Sequence, residues 1–527
     1  MSSGCDADED ARRAATTENA MRNRIRAGLV LSALSLFASE SGLAAQAADL
    51  RLVDAAQRQD WDMARSLLRS GTDANAAQPD GATALAWAAH WNEADVARLL
   101  IAAGADVNAA NDLGVTPLAL ACENASVPMV ETLLRAGANP NLARATAETP
   151  LMTAARTGNA AVVTLLLAQG ADPNASNTRS KHTALMLAIS EGHADVVAGL
   201  VAAGADVHAR SAGGFTPLLF AARQGDRASA AILLDAGAKV DAVASDGSTP
   251  LIIAIASDRE ETALFLLERG ATPHDERLGY TPLHAAVSKD ALTVATALLA
   301  RGANPNARLN KAPGVVFGRS DGAGTEVRPA TRAVDAAPDA GARRAGARDP
   351  LVGATPFFLA ARLVNVPMMK LLLDSGADPN VTLPNRTTPL MVASGLTHVQ
   401  GPRARRGDVS QFYTNWNESD SLEAVKFLVG LGADVNATNA SDQTALHGAA
   451  YMGGNRVVRF LVEHGAKLNV QDAQGQTPYR IAEAHLNIAG QGVTEWPETA
   501  TLLRALGADT TLGVDGRTML RKYGNGK

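Results

Sequence analysis

The chain is 527 residues long, 46% apolar and only 4% aromatic, with a formal net charge of −6. That balance gives no bulk electrostatic reason to expect a nucleic-acid or anionic-membrane partner. With only Cys5 and Cys122 present, a disulfide framework is not expected.

The first stretch, residues 1–47, reads as leader and signal peptide. Arg22, Arg24 and Arg26 precede an apolar run from Ala27 to Ala38, and Ala45-Gln46-Ala47 offers a small-x-small cleavage site after Ala47. The run is too short to span a bilayer comfortably. Residues 1–20 are polar and acidic, which points to Met21 as the start of translation. The expected location is periplasmic or secreted. An uncleaved N-terminal anchor, or a cytosolic or host-targeted chain if the leader is no signal, stands as the alternative.

Residues 48–82 follow as an N-terminal cap. Leu50, Val53 and Ala56 supply one helix face, and Trp61, Ala64, Leu67 and Leu68 supply the next. From Thr83 a single pattern then repeats. Thr216 can cap a helix whose first position is Pro217, with Leu218, Ala221 and Ala222 on one face. A second apolar stripe runs Ala228 to Leu234, and Gly237 supplies the left-handed residue that ends it. The opening threonine recurs at 83, 116, 149, 183, 216, 249, 281, 355, 388, 444 and 477, mostly in steps of 33. The closing glycine keeps register at Gly104, Gly137, Gly170, Gly204, Gly237, Gly270, Gly302, Gly376, Gly432, Gly465 and Gly507. Such a period means stacked supersecondary units.

Thr281-Pro282-Leu283-His284-Ala285-Ala286, with Gly-Ala-Asp-Val-Asn at 104–108 and 432–436, closely resembles ankyrin repeats. The resemblance covers roughly residues 49–520. It implies an α-rich solenoid of about eleven full repeats plus terminal caps, each repeat a helix–turn–helix with a β-hairpin finger. Repeats 1–7 occupy 83–308, and repeats 8–11 occupy 354–510. Residues 511–527 make a C-terminal cap and tail. Between the two runs, 309–353 is a Gly/Ala/Pro/Arg-rich insertion with too few apolar residues to build a core. Two further insertions, 396–421 and 485–499, separate an inner helix from its outer helix. They hold Phe412, Tyr413, Trp416 and Trp496, aromatic residues that either seal a small core or form a contact site.

No catalytic, cofactor or metal motif rises above chance. Histidine pairs with zinc spacing, a nucleophile elbow, a phosphate loop and a dinucleotide fingerprint are all missing. His284 and His447 fill the fourth position of the opening motif, where the resemblance implies a structural hydrogen bond. Cys122 stands where an inner-helix alanine would be and reads as a small buried hydrophobe. The resemblance also implies protein–protein binding by a monomer, through finger positions and the two residues after each Ala-Ala pair. Those positions here are His90, Trp91, Arg156, Arg210, Phe215, Arg223, Arg277, Tyr280, Arg362 and Tyr451. Most precede the first insertion, so a partner is expected on the N-terminal repeats. A rival reading makes the edge insertions an enzyme site built from His398, Asp408, Glu418, His485 and Glu495.

Overall fold

The structure is a computed structural model that describes residues 49–310, 351–396, 417–486 and 493–518. It divides into two compact units, one ending at Asp172 and one beginning at Pro173. Residues 1–48, 311–350, 397–416, 487–492 and 519–527 lie outside the described residues, and with them the leader, the signal peptide and Phe412, Tyr413 and Trp416.

The first unit opens with the helices Arg51–Gln57 and Trp61–Arg69. Three inner/outer pairs follow: Ala84–His90 with Ala94–Ala102, Pro117–Glu123 with Val127–Arg135, and Pro150–Thr157 with Ala160–Ala168. Inner helices pack on inner helices, and outer on outer. Alanines let the inner row approach closely: Ala88, Ala89, Ala121, Ala154 and Ala155 are fully buried. Leu100, Leu133 and Leu166 recur at one position of the outer helices and are also fully buried. Each contributes about 1.5–3 kcal/mol by leaving water. Cys122 is buried in this row, and burial pushes its thiol well above the ordinary range.

The second unit repeats the arrangement from Ala184–Glu191 to Pro497–Ala505. Its last inner helix, Pro478–Glu483, leads into a short antiparallel pair in which His485 faces Thr494 and Leu486 faces Val493. A truncated turn at the end docks back on the last repeat: the Val514 amide donates to Gly475 O at 2.9 Å.

Local chemistry explains each boundary. Thr116 Oγ1 accepts from the Ala119 amide at 3.2 Å, and Thr83, Thr149, Thr355 and Thr477 cap their helices in the same way. Thr216, expected to do likewise, does not. The Leu219 amide turns instead to the Thr216 backbone carbonyl at 3.0 Å, a tighter first turn that leaves the buried hydroxyl without a partner. Gly237, at φ 92°, follows the outer helix Arg227–Asp235 and turns the chain into the next finger.

The fingers are shorter than the hairpins expected. Asn111 Oδ1 accepts from the amides of Leu113 and Val115, and the Gly114 amide closes on Asn111 O at 2.8 Å. This side-chain-centred turn reverses the chain within four residues, so two isolated bridges, Ala77–Thr83 and Ser176–Thr183, are the only strand-like pairings in the described fingers.

A second ladder ties repeat to repeat. Asn75 Nδ2 donates to Gly104 O at 2.9 Å, while its Oδ1 accepts from the Asp106 amide at 2.7 Å. Asn108 and Asn141 continue the series, and Asn174, Asn306 and Asn436 repeat it in the second unit. Each of these asparagines, the fifth residue from the closing glycine of its repeat, is therefore a strut between neighbours. The strut from Asn306 reaches Gly376, so the finger that carries the long insertion is pinned at its base. Leu309 donates to Ala354 O at 2.9 Å, and the Gly353 amide donates to Leu309 O at 2.7 Å.

Candidate functional site

In the first unit a line of side chains connects a finger to the far end of an inner helix. Gln78, in the first finger, accepts from Trp87 Nε1 at 3.1 Å while donating to Gln57 Oε1 at 2.8 Å. The Trp87 ring lies parallel to Trp91, centroids 6.5 Å apart and tilted by 20°. His90 meets Trp91 edge-on at 4.7 Å. Trp87 is buried, but Trp91 is 39% exposed although its ring is already fixed by its neighbours. A rigid, half-open aromatic is the side-chain type that loses little entropy when a partner covers it. Beside it, Asn124 Nδ2 donates to His90 O at 2.8 Å, holding the next repeat against this one. Arg156, also expected here, is exposed and pairs with Glu148 at 2.8 Å.

The second unit treats its expected contact residues differently. Arg210 is exposed, yet its Nη1 bridges Gly214 O and Val243 O, at 3.0 and 2.8 Å, clamping one finger to the next. Arg223 lies over Phe220 at 5.0 Å and Phe215 at 5.8 Å, and all three rest partly or wholly inside. Arg277 is exposed and pairs with Asp275 at 3.1 Å; Arg362 is half-buried. Two expectations fail. Tyr280 is 2% exposed and Tyr451 is 8% exposed, so neither can present a ring to a partner. Tyr280 directly precedes the Thr281 cap and is drawn into the core with its hydroxyl unpaired. Tyr451 is covered by the insertion within the next repeat. His485 meets its ring edge-on at 5.1 Å, and Trp496 Nε1 donates to Tyr451 O at 2.9 Å.

Trp496 thus seals. Its ring lies over Gly453, where an added Cβ would come within 2.6 Å of it. The titratable groups considered for chemistry near the insertions are engaged one by one. His485 is buried, with Nδ1 3.1 Å from Ile481 O, and burial lowers its basicity. Glu495 pairs with Arg517 at 2.6 Å, and Glu418 accepts from the Arg456 amide. His398 and Asp408 lie outside the described residues. Among the described residues no group of His, Cys, Asp or Glu is placed to hold a metal, and no helix is long and apolar enough to cross a membrane.

His284 and His447 are structural, as their place in the motif implies. His284 Nδ1 accepts from the Thr281 amide at 3.2 Å, and Nε2 stands 3.3 Å from Ala354 O of the next repeat. His447 makes the same pair of contacts, to Thr444 and to Gln476 O. Burial holds His284 down at about 4.

Family models of known proteins agree with this architecture. The family described as "Ankyrin repeats (3 copies)" matches at residues 52–144, 140–211, 200–277, 218–308 and 416–491, and "Ankyrin repeat" matches at 352–382. These matches cover more than half of the chain. A curated relative, the ankyrin repeat protein FPV222 of Fowlpox virus (strain NVSL), is 30% identical over 113 residues; the match takes in 20% of this chain and 15% of that protein. Among solved structures, the human ASB11 ankyrin repeat domain is 27% identical, with a TM-score of 0.37 over 41% of this chain and 96% of that one. The chain belongs to the ankyrin repeat family, and ankyrin repeats indicate a protein–protein interaction scaffold.

Proposed function

We propose that this ankyrin repeat protein works outside the cytoplasm, holding a partner protein against the finger and inner-helix face of its first unit, with Trp91 as the anchor. The observation that carries the reading is the line from Gln78 through Trp87 to Trp91, which leaves a fixed indole 39% open to solvent. Aromatic anchors of this kind dominate interface energetics. Export rests on the basic residues Arg22, Arg24 and Arg26, the apolar run after them and the Ala45-Gln46-Ala47 site.

Affinity capture from the extracytoplasmic fraction, using the mature chain as bait, tests the docking face. A true partner is recovered by the wild type and by Met63→Ala, which alters an exposed outer-helix residue, and is depleted at least tenfold by Trp91→Ala. Equal recovery with Trp91→Ala removes the proposal. N-terminal sequencing of the protein from its native host tests export independently, with Ala48 expected as the first residue.

A further inference from the structure

The rim of the same face indicates what kind of segment it takes. Asp80 and Asp112 occupy neighbouring fingertips, joined by the Asp112 amide donating to Asp80 O at 2.9 Å. Asp112 and the adjoining Leu113 are exposed, Leu113 by 42%. Two arginines of this face are already committed, Arg144 to Glu123 and Arg156 to Glu148 at 2.8 Å, whereas Arg58, one repeat before Trp91, is exposed and in no ion pair among the described residues. Among the described residues the two fingertip carboxylates have no such cation: Asp80 Oδ1 accepts from the Ala82 amide of its own turn, and no ion pair involves Asp112. The finger that carries Asp80 also carries Gln78, whose side chain holds Trp87 against Trp91. The acidic fingertips and the exposed indole therefore stand at the two ends of one line of side chains, which an extended segment would span.

We propose that this surface binds a basic peptide segment of the partner, with an apolar residue on the exposed Trp91 ring and flanking lysine or arginine residues at Asp80 and Asp112. The inference rests on the docking face named above and adds the chemistry of its occupant. An indole face attracts both apolar groups and cations, whereas an acidic rim rejects acidic segments by leaving their charges uncompensated. Rim carboxylates act mainly on encounter rate and salt dependence, so their effect fades as ionic strength rises.

The probe is a display library of random dodecapeptides selected on the mature full-length chain, with enriched peptides synthesised and titrated at 50 and 500 mM NaCl. The expected winners carry two or more Lys or Arg around one large apolar residue. They lose about tenfold in affinity on Asp80→Asn/Asp112→Asn at low salt, less at high salt, and about thirtyfold on Trp91→Ala. Circular dichroism checks that each variant is folded, and Met63→Ala serves as the neutral control. Winners that need Trp91 but are acidic or uncharged overturn the basic-segment inference and leave the docking face standing. Winners indifferent to Trp91→Ala, or no enrichment at all, overturn both.

Discussion

His284 offers a sharp test of the buried histidine bridge, because among the described residues no carboxylate contributes to the shift of its titration. The residues that favour its protonated form are backbone carbonyls, those of Ala354 and Ala307, whereas His447 also feels Asp472. Burial lowers His284 from 6.5 to about 4 in the folded chain. Between those values the unfolded chain binds the extra proton, so stability rises with pH through this window and falls on acidification. The contribution is fully present above 6.5, is lost as pH drops towards 4, and levels off below. From pH 7 to 4.5 the loss works out at about 2 kcal/mol, from 1.36 kcal/mol per pH unit over most of the window.

The replacement His284→Met is suited to the comparison. Other repeats carry methionine there, and Met391 Sδ accepts from the Thr388 amide at 3.4 Å just as His284 Nδ1 does from Thr281. The variant forfeits the contact with Ala354 O, a pH-independent offset of about 1 kcal/mol. Urea unfolding followed by far-UV circular dichroism at pH 7, 6, 5 and 4.5 is the assay. The wild type should lose about 2 kcal/mol more than the variant across that range. Parallel losses would refute the argument that this imidazole folds neutral.

Three further outcomes follow from the packing. Tyr280→Phe, which removes only an unpaired buried hydroxyl, should leave the urea midpoint unchanged or slightly raised, whereas Tyr280→Ala should cost about 3–5 kcal/mol by opening a cavity. Val364 sits at φ 50°, a left-handed conformation that a β-branched residue resists, so Val364→Gly should raise the thermal midpoint by an amount equivalent to about 1 kcal/mol. Because Leu309, Gly353 and Ala354 close the finger base by themselves, replacing residues 311–350 with a two-residue Asn-Gly turn should leave helix content and thermal midpoint unchanged by circular dichroism.

The repeat was legible because its signals are local. Thr, Pro, the Ala-Ala pair and Gly each act within a turn or two of their own position, and a period of 33 multiplies a weak signal elevenfold. What lay beyond one repeat was less visible. Thr216 has the same sequence context as Thr116, yet its first turn tightens and the cap is lost. The asparagine struts were hidden because each partner belongs to the next repeat, 29 and 31 residues away for Asn75 and 70 and 72 for Asn306. The contact residues were harder still. His90 and Tyr451 both directly follow an Ala-Ala pair, but His90 is half-buried beside Trp91 whereas Tyr451 lies under an insertion from the following repeat.

The amino-acid sequence alone therefore determined the helix pairs, most of their caps and their stops, all set by bonds between residues close along the chain. The histidine bridges, by contrast, reach the next repeat, and burial there lowers their basicity. Only the tertiary structure decided which side chains reach solvent and which fingertip carboxylates stand without a cation. Exposure depends on what the neighbouring repeat lays across a residue, and no short-range pattern carries that information.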